Sequence, residues 1–164
     1  MKKIVLDWEE CTVEYPLPED GQKQDKVTPI IKQFDKALEE HKLVAIYLYT
    51  DDMRKKFEAK TKLCESYFDE VLCTEKVGEK LKSCLRLKLN VSKLDDSKLK
   101  KAYKFSKSYP AIYFYDFEGN KIKSTTSRDE NTVISYISYS EKKIEKLVEK
   151  LEKKAEKEAE KKEE

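Results

Sequence analysis

Apolar and polar residues sort this chain into runs of two periods. Leu85, Leu87, Leu89 and Val91 alternate with polar neighbours, and that period of two predicts a strand over 85–91. Leu43 through Tyr49 and Ala111 through Phe117 are nearly unbroken apolar and aromatic runs, as strands buried on both faces require, so strands are expected at 43–50 and 111–117. Elsewhere the period is helical. After Thr28-Pro29, an N-cap residue type followed by a proline suited to a first turn, Ile30, Ile31, Phe34, Ala37 and Leu38 recur at helical spacing and predict a helix ending near His41. Met53, Phe57, Leu63, Cys64, Tyr67 and Phe68 form a second stripe, expected to run from a cap at Asp51 or Asp52 to about Tyr67 or Phe68. A helix over 95–106 and a long helix from Asn131, with Val133, Ile134, Ile137, Ile144, Leu147, Val148 and Leu151 on one face, complete the pattern. Residues 1–25, with Pro16, Pro18 and Gly21, are expected to be an irregular lead holding at most one short strand, in 3–6 or 12–15.

The stretch from Ser108 to Ile122 is the most informative. Pro110 has no N–H to give a sheet ladder, so it belongs at a strand's first residue or edge, and X-Pro bonds are where cis peptides occur. Gly119-Asn120 supplies residues suited to positive φ in a tight turn before a strand at 121–125. This hairpin, opened by Tyr109-Pro110, resembles the cis-proline hairpin of the thioredoxin superfamily, and the strand at 43–50 resembles the one that delivers the chain to that family's redox helix. The resemblance covers roughly 28–150. It implies an α/β fold, a thioredoxin-like three-layer sandwich with a central mixed sheet, a cis Tyr109–Pro110 bond, and an extended C-terminal helix. Trp8 is similar to a tryptophan that many such domains carry before their first helix. The expected division is a lead over 1–25, a thioredoxin-like domain over 26–151 and a charged helical tail over 152–164.

The family's chemistry is missing from its expected place. There the pattern has Cys-x-x-Cys, whereas this chain has Thr50-Asp51-Asp52-Met53-Arg54-Lys55-Lys56 and no cysteine between residues 12 and 63. Aligned to that motif, Met53 takes the place of the nucleophile and Lys56 that of the resolving thiol. Dithiol exchange needs a thiolate and a second thiol one turn on, and neither residue supplies one. Cys64 lies 11 residues beyond Met53, about 16 Å along a helix at 1.5 Å per residue. The four cysteines, Cys11, Cys64, Cys73 and Cys84, are spaced by 53, 9 and 11 and match no zinc pattern. Two readings stay open for Cys64, Cys73 and Cys84: a structural disulfide between two of them, or buried free thiols acting as small hydrophobes.

Other polar candidates have simpler explanations. His41 closes a helix, where an imidazolium is electrostatically favoured, and reads as a cap rather than a catalytic base. Asp51-Asp52 reads as a helix cap before it reads as a metal or acid–base site. Ten tyrosines fall mostly in strands or on the last helix, so core packing accounts for them better than a ligand groove does. Tyr109 is the exception, because its backbone beside the proline is the edge at which members of the resembled family pair with extended peptides.

Charge and composition narrow the partners. Charged residues make up 41% of the 164, yet the net charge is only +2, so no one-signed surface points to nucleic acid. No apolar run approaches the roughly 18 residues of a membrane span. Residues 152–164 are nearly all Glu and Lys, with Glu149–Lys153 and Glu158–Lys162 at i,i+4 spacing, and no apolar seam for a coiled coil follows Leu151. A frayed, solvated helix on a monomer is expected. The compartment stays open: the expectation is cytoplasmic as the chain is written, and periplasmic or secreted if a signal peptide was removed. The functional expectation is a redox-inactive domain without a cofactor that binds a protein or extended peptide through Met53, Arg54, Lys56, Tyr109 and Pro110. The alternative is a thiol–disulfide oxidoreductase with a non-standard cysteine.

Overall fold

The computed structural model describes residues 2–93 and 97–163. Its centre is the run Val44–Tyr49 (β4), buried along almost its whole length. Leu85–Asn90 (β5) pairs with it in parallel, Ile46 opposite Leu87, and Ala111–Tyr115 (β6) pairs antiparallel, Ile46 opposite Tyr113. Lys121–Thr125 (β7) continues the sheet beyond β6, and Glu9–Glu10 (β1) adds a parallel edge to β5, giving the order β1-β5-β4-β6-β7. Residues of the central strands alternate between two cores. Val44, Ile46 and Leu48 join Leu87, Leu89, Tyr113 and Tyr115 on one face, whereas Ala45, Tyr47, Ile112 and Phe114 look to the other.

Helices cover both faces. Phe34–Glu40 (α1) and Ser97–Tyr103 (α4) send Ala37, Leu99 and Tyr103 into the first core. Glu58–Tyr67 (α2), a π-helical turn over Phe68–Leu72 and Glu75–Leu81 (α3) cover the second with Tyr67, Val71, Leu72, Val77 and Leu81. Glu130–Glu163 (α5) serves both, since Val133 and Ile137 lie in the second core, Leu147, Val148 and Leu151 pack on the first, and Ile144 touches each. Its 34 residues extend about 51 Å at 1.5 Å per residue. Among the described residues no helix is long and apolar enough to cross a membrane.

Several boundaries differ from the sequence reading. The helix expected from Thr28 begins only at Phe34, because Ile30–Ile31 (β3) pairs antiparallel with Val13–Glu14 (β2). Burial there alternates, with Val27, Pro29 and Ile31 in and Thr28, Ile30 and Lys32 out, a period of two hidden by the adjacent isoleucines. The Ile31 N–H then donates to the Tyr103 hydroxyl at 2.9 Å rather than into a helix. His41 closes α1 at φ 53° and stacks on Phe117, ring centroids 4.6 Å apart. In the hairpin only Gly119 has positive φ, and the turn is organised by Asp116, whose carboxylate accepts from the N–H groups of Glu118 and Asn120. The strand expected to reach Phe117 stops at Tyr115, where the register shifts. The helix expected over 95–106 is observed as α4, its first two expected positions lying outside the described residues.

The lead is mostly irregular, with its short strand at β2 inside the expected 12–15, but it docks on the fold. Besides β1 and β2, Lys3 bridges Thr74, and the Ile4 N–H donates to the Cys73 carbonyl at 2.8 Å. Pairings of two residues with polar side chains outward leave no periodic signal, so they escape a reading based on pattern. Gly78 on α3 is the contact that admits the lead: a Cβ placed there would lie 2.9 Å from Ile4 Cβ and 3.2 Å from its Cγ2. Gly78→Ala gains helix propensity but forces the lead away, and is expected to destabilise by about 1–3 kcal/mol, the usual cost of overpacking. Hydrogen exchange checks it, with faster exchange at Ile4; a more stable variant with the Ile4 amide still protected would mean that the lead does not dock there.

Candidate functional site

The segment between β4 and α2 sets the site's first half. Thr50 is buried, and its hydroxyl accepts from the Asp52 N–H. The Asp52 carboxylate does not cap a helix as expected. It accepts instead from the Arg54 N–H at 3.0 Å and grips the Arg54 guanidinium at 2.7 Å, so Arg54 stays extended at ψ 143°. That pair holds the Asp52 carboxyl below its ordinary range, through the Arg54 hydrogen bonds first. Only at Lys55 does a single 3-10 turn begin, and α2 itself starts at Glu58. Asp51 is also no cap: its Oδ1 accepts from Asn90 Nδ2 at 2.6 Å, joining the ends of β4 and β5. Met53, aligned by resemblance with the head of the redox helix, therefore stands before the helix and is 85% exposed.

The second half comes from the approach to β6. The Tyr109–Pro110 bond is cis. Ser106 is held by its N–H donating to the Tyr113 hydroxyl at 2.8 Å, and the Ser108 N–H donates to Ser106 Oγ. Tyr109 and Pro110 line a groove of about 250 Å³ whose other walls include Leu63 and Tyr67 of α2 and Arg128 before α5. Lys60 Nζ stands 5.1 Å from the centre of the Tyr109 ring.

The expected site residues thus divide. Tyr109 and Pro110 share the groove at α2, Met53 lines a separate one of about 410 Å³ with Asp52, Lys55 and Thr61, and Arg54 and Lys56 flank the Phe57 ring at 4.9 and 5.1 Å. Pattern reading passed over Lys60, Leu63, Tyr67 and Arg128. Leu63 and Tyr67 fit one core stripe in sequence, yet Leu63 is half exposed, and Arg128 is fixed by a long-range pair to Glu70 and a bond to Ser66 Oγ that spacing cannot reveal.

The sequence matches no family model and no curated protein. Solved structures similar to it include the DsbH oxidoreductase, 15% identical over 66% of this chain and 78% of that one with a TM-score of 0.47. Poplar thioredoxin h is 14% identical over 65% and 83%, TM-score 0.44, and a disulphide isomerase from Xylella fastidiosa is 14% identical over 71% and 86%, TM-score 0.41. The sheet itself decides the fold: a parallel β1-β5-β4 half, a terminal antiparallel β6-β7 hairpin, and helices on both faces. The chain has a thioredoxin-like fold.

Within this thioredoxin-like domain the four cysteines are free thiols, each in a different setting. Of the two readings open for Cys64, Cys73 and Cys84, the structure has the free thiols. Cys64 sits in α2 behind Thr50, Cys73 at the end of the π turn beside the lead, and Cys84 just before β5, and all three are buried. Burial raises each thiol and Cys11 as well; for Cys84 burial is the largest cause, Glu141 adds to it, and the value moves from 9.0 to about 12. Because Cys84 is raised on folding, its stabilising contribution is complete below pH 9.0 and is lost as pH rises towards about 12. Stability measured by urea titration is expected to fall over that window, and Cys84 in the native domain should resist iodoacetamide at pH 8; prompt alkylation there would show an accessible thiolate. Among the described residues no group of three or more His, Cys, Asp or Glu is arranged to hold a metal ion.

Proposed function

We propose that this thioredoxin-like domain binds an extended protein segment along the Tyr109–Pro110 edge and is inert as a dithiol reductase. The observation that carries the reading is the Tyr109 backbone. Among the described residues no hydrogen bond reaches its N–H or C=O, although it borders a groove with an apolar wall at Leu63 and Pro110. A free main-chain edge beside a side-chain pocket is what strand-like pairing uses: the backbone supplies affinity and the pocket supplies choice. Arg54, Lys56 and Lys60 on the approach to α2 and in its first turn favour acidic partners. Inertness is supported by the chemistry of the segment before α2, where residues 51–57 contain no sulfur nucleophile, and by burial that disfavours every thiolate.

One observation favours the other reading. Cys64 lines a cleft of about 200 Å³ with Tyr47, Tyr49, Thr50 and Asp51. A catalyst working through Cys64 would reduce insulin with dithiothreitol above background and lose that activity in Cys64→Ser; the binding reading expects no rate above background. Binding itself is tested by titrating the isotope-labelled domain with reduced, carboxymethylated lactalbumin as an unfolded polypeptide. Amide shifts confined to 107–111, α2 and 126–128 are expected. Shifts elsewhere, or none, would refute the proposed edge.

A further inference from the structure

At the floor of the same groove lies an unexplained group. Tyr67 is fully buried, and among the described residues its hydroxyl is the buried side-chain polar atom with no hydrogen-bond partner. Such a group costs stability unless something completes it, so it calls for a cause. Burial pushes the Tyr67 hydroxyl well up, with the Arg128 guanidinium pulling the other way by less, so the hydroxyl keeps its proton and is a donor near neutral pH. Arg128 lines the groove above it, 45% exposed, and both of its hydrogen bonds, to Glu70 and Ser66, run through Nη2. Its other N–H groups remain for a ligand. Lys60 adds a second positive charge over Tyr109. Glu70 is the opposing charge, and it is already paired with Arg128.

An unfilled donor and a guanidinium lining one groove, with a lysine beside it, are complementary to one kind of group, an anion with two acceptor oxygens. We propose that the groove between α2 and the Tyr109–Pro110 edge selects an extended peptide bearing a carboxylate side chain, which accepts from the Tyr67 hydroxyl and pairs with Arg128. This rests on the proposed peptide binding and adds its selectivity. A neutral amide side chain of the same shape would bring donors to a site made of donors.

The test uses two fluorescein-labelled peptides, one alternating valine and glutamate and one with glutamine for each glutamate, followed by fluorescence polarisation at physiological salt. The glutamate peptide is expected to bind about tenfold more tightly, the equivalent of one charge-assisted hydrogen bond. Tyr67→Phe and Arg128→Gln should each bring the two peptides within about threefold of each other, while Lys36→Gln on α1 leaves the preference intact. Tyr67→Phe should melt no lower than the parent, because its hydroxyl has no partner to lose. Equal binding of both peptides by the parent would overturn the selectivity and leave the binding edge standing. A preference weakened as much by Lys36→Gln would reduce it to general charge attraction and overturn it too, as would a preference that survives both groove variants. Binding of neither peptide would remove the edge and the selectivity together.

Discussion

Phe114→Ala is expected to lower stability by about 3–5 kcal/mol, the usual cost of removing a buried phenylalanine, and the melting temperature by about 6–20 °C for a chain of this size. Phe114 is fully buried on β6, facing the core built by α2, α3 and the first half of α5. It pairs across the sheet with Ala45 on β4 and Lys123 on β7. Met53→Ala is the control: Met53 is 85% exposed, and removing it should change stability by no more than about 0.5 kcal/mol. If thermal melts gave the two variants the same shift, Phe114 would not be a core residue of β6.

The contrast between those residues also marks how far the sequence could be read. Strands β4, β5 and β6 are legible because burial on one or both faces leaves either an unbroken apolar run or a period of two, and those signals are local, whereas β7 is legible only from the Gly119-Asn120 turn before it. Val27-Thr28-Pro29-Ile30-Ile31 carries two signals at once, and locally the helical one is the stronger; the antiparallel partner at Val13–Glu14 that settles the matter lies outside any local window. The start of α2 was displaced because Asp52 satisfies its oxygens with Arg54, a competition between a side-chain turn and a helix cap that spacing alone does not resolve. Of the candidate groove, only Tyr109 and Pro110 stand out in the sequence, through the hairpin that follows them. The groove beside it depends on Arg128 being drawn to Glu70 across 58 residues and on a tyrosine hydroxyl being left without a partner, and both are properties of the folded chain.

The last helix offers the second large effect. Ending the chain after Lys143 removes Ile144, Leu147, Val148 and Leu151, which recur on one face of α5 and are partly buried against the core beneath α1 and α4. With each side chain contributing about half of the 1.5–3 kcal/mol of full burial, the loss is roughly 3–6 kcal/mol, or about 6–24 °C in melting temperature. Ending the chain after Glu152 should cost far less. Residues 153–163 continue α5 without a break, and every one of them is exposed. Their only apolar side chains are Ala155 and Ala159, and lysine–glutamate pairs in water contribute a few tenths of a kcal/mol each. The helix persists because alanine, glutamate and lysine all favour it, not because anything in the domain holds it. A shift within about 2 °C is therefore expected for the shorter deletion, measured beside the longer one. Light scattering on both full and shortened chains completes the comparison: if losing 153–164 sharply lowers the melting temperature or dissolves an oligomer, this projecting helix is an assembly element, and its exposed faces are covered by a second copy in solution.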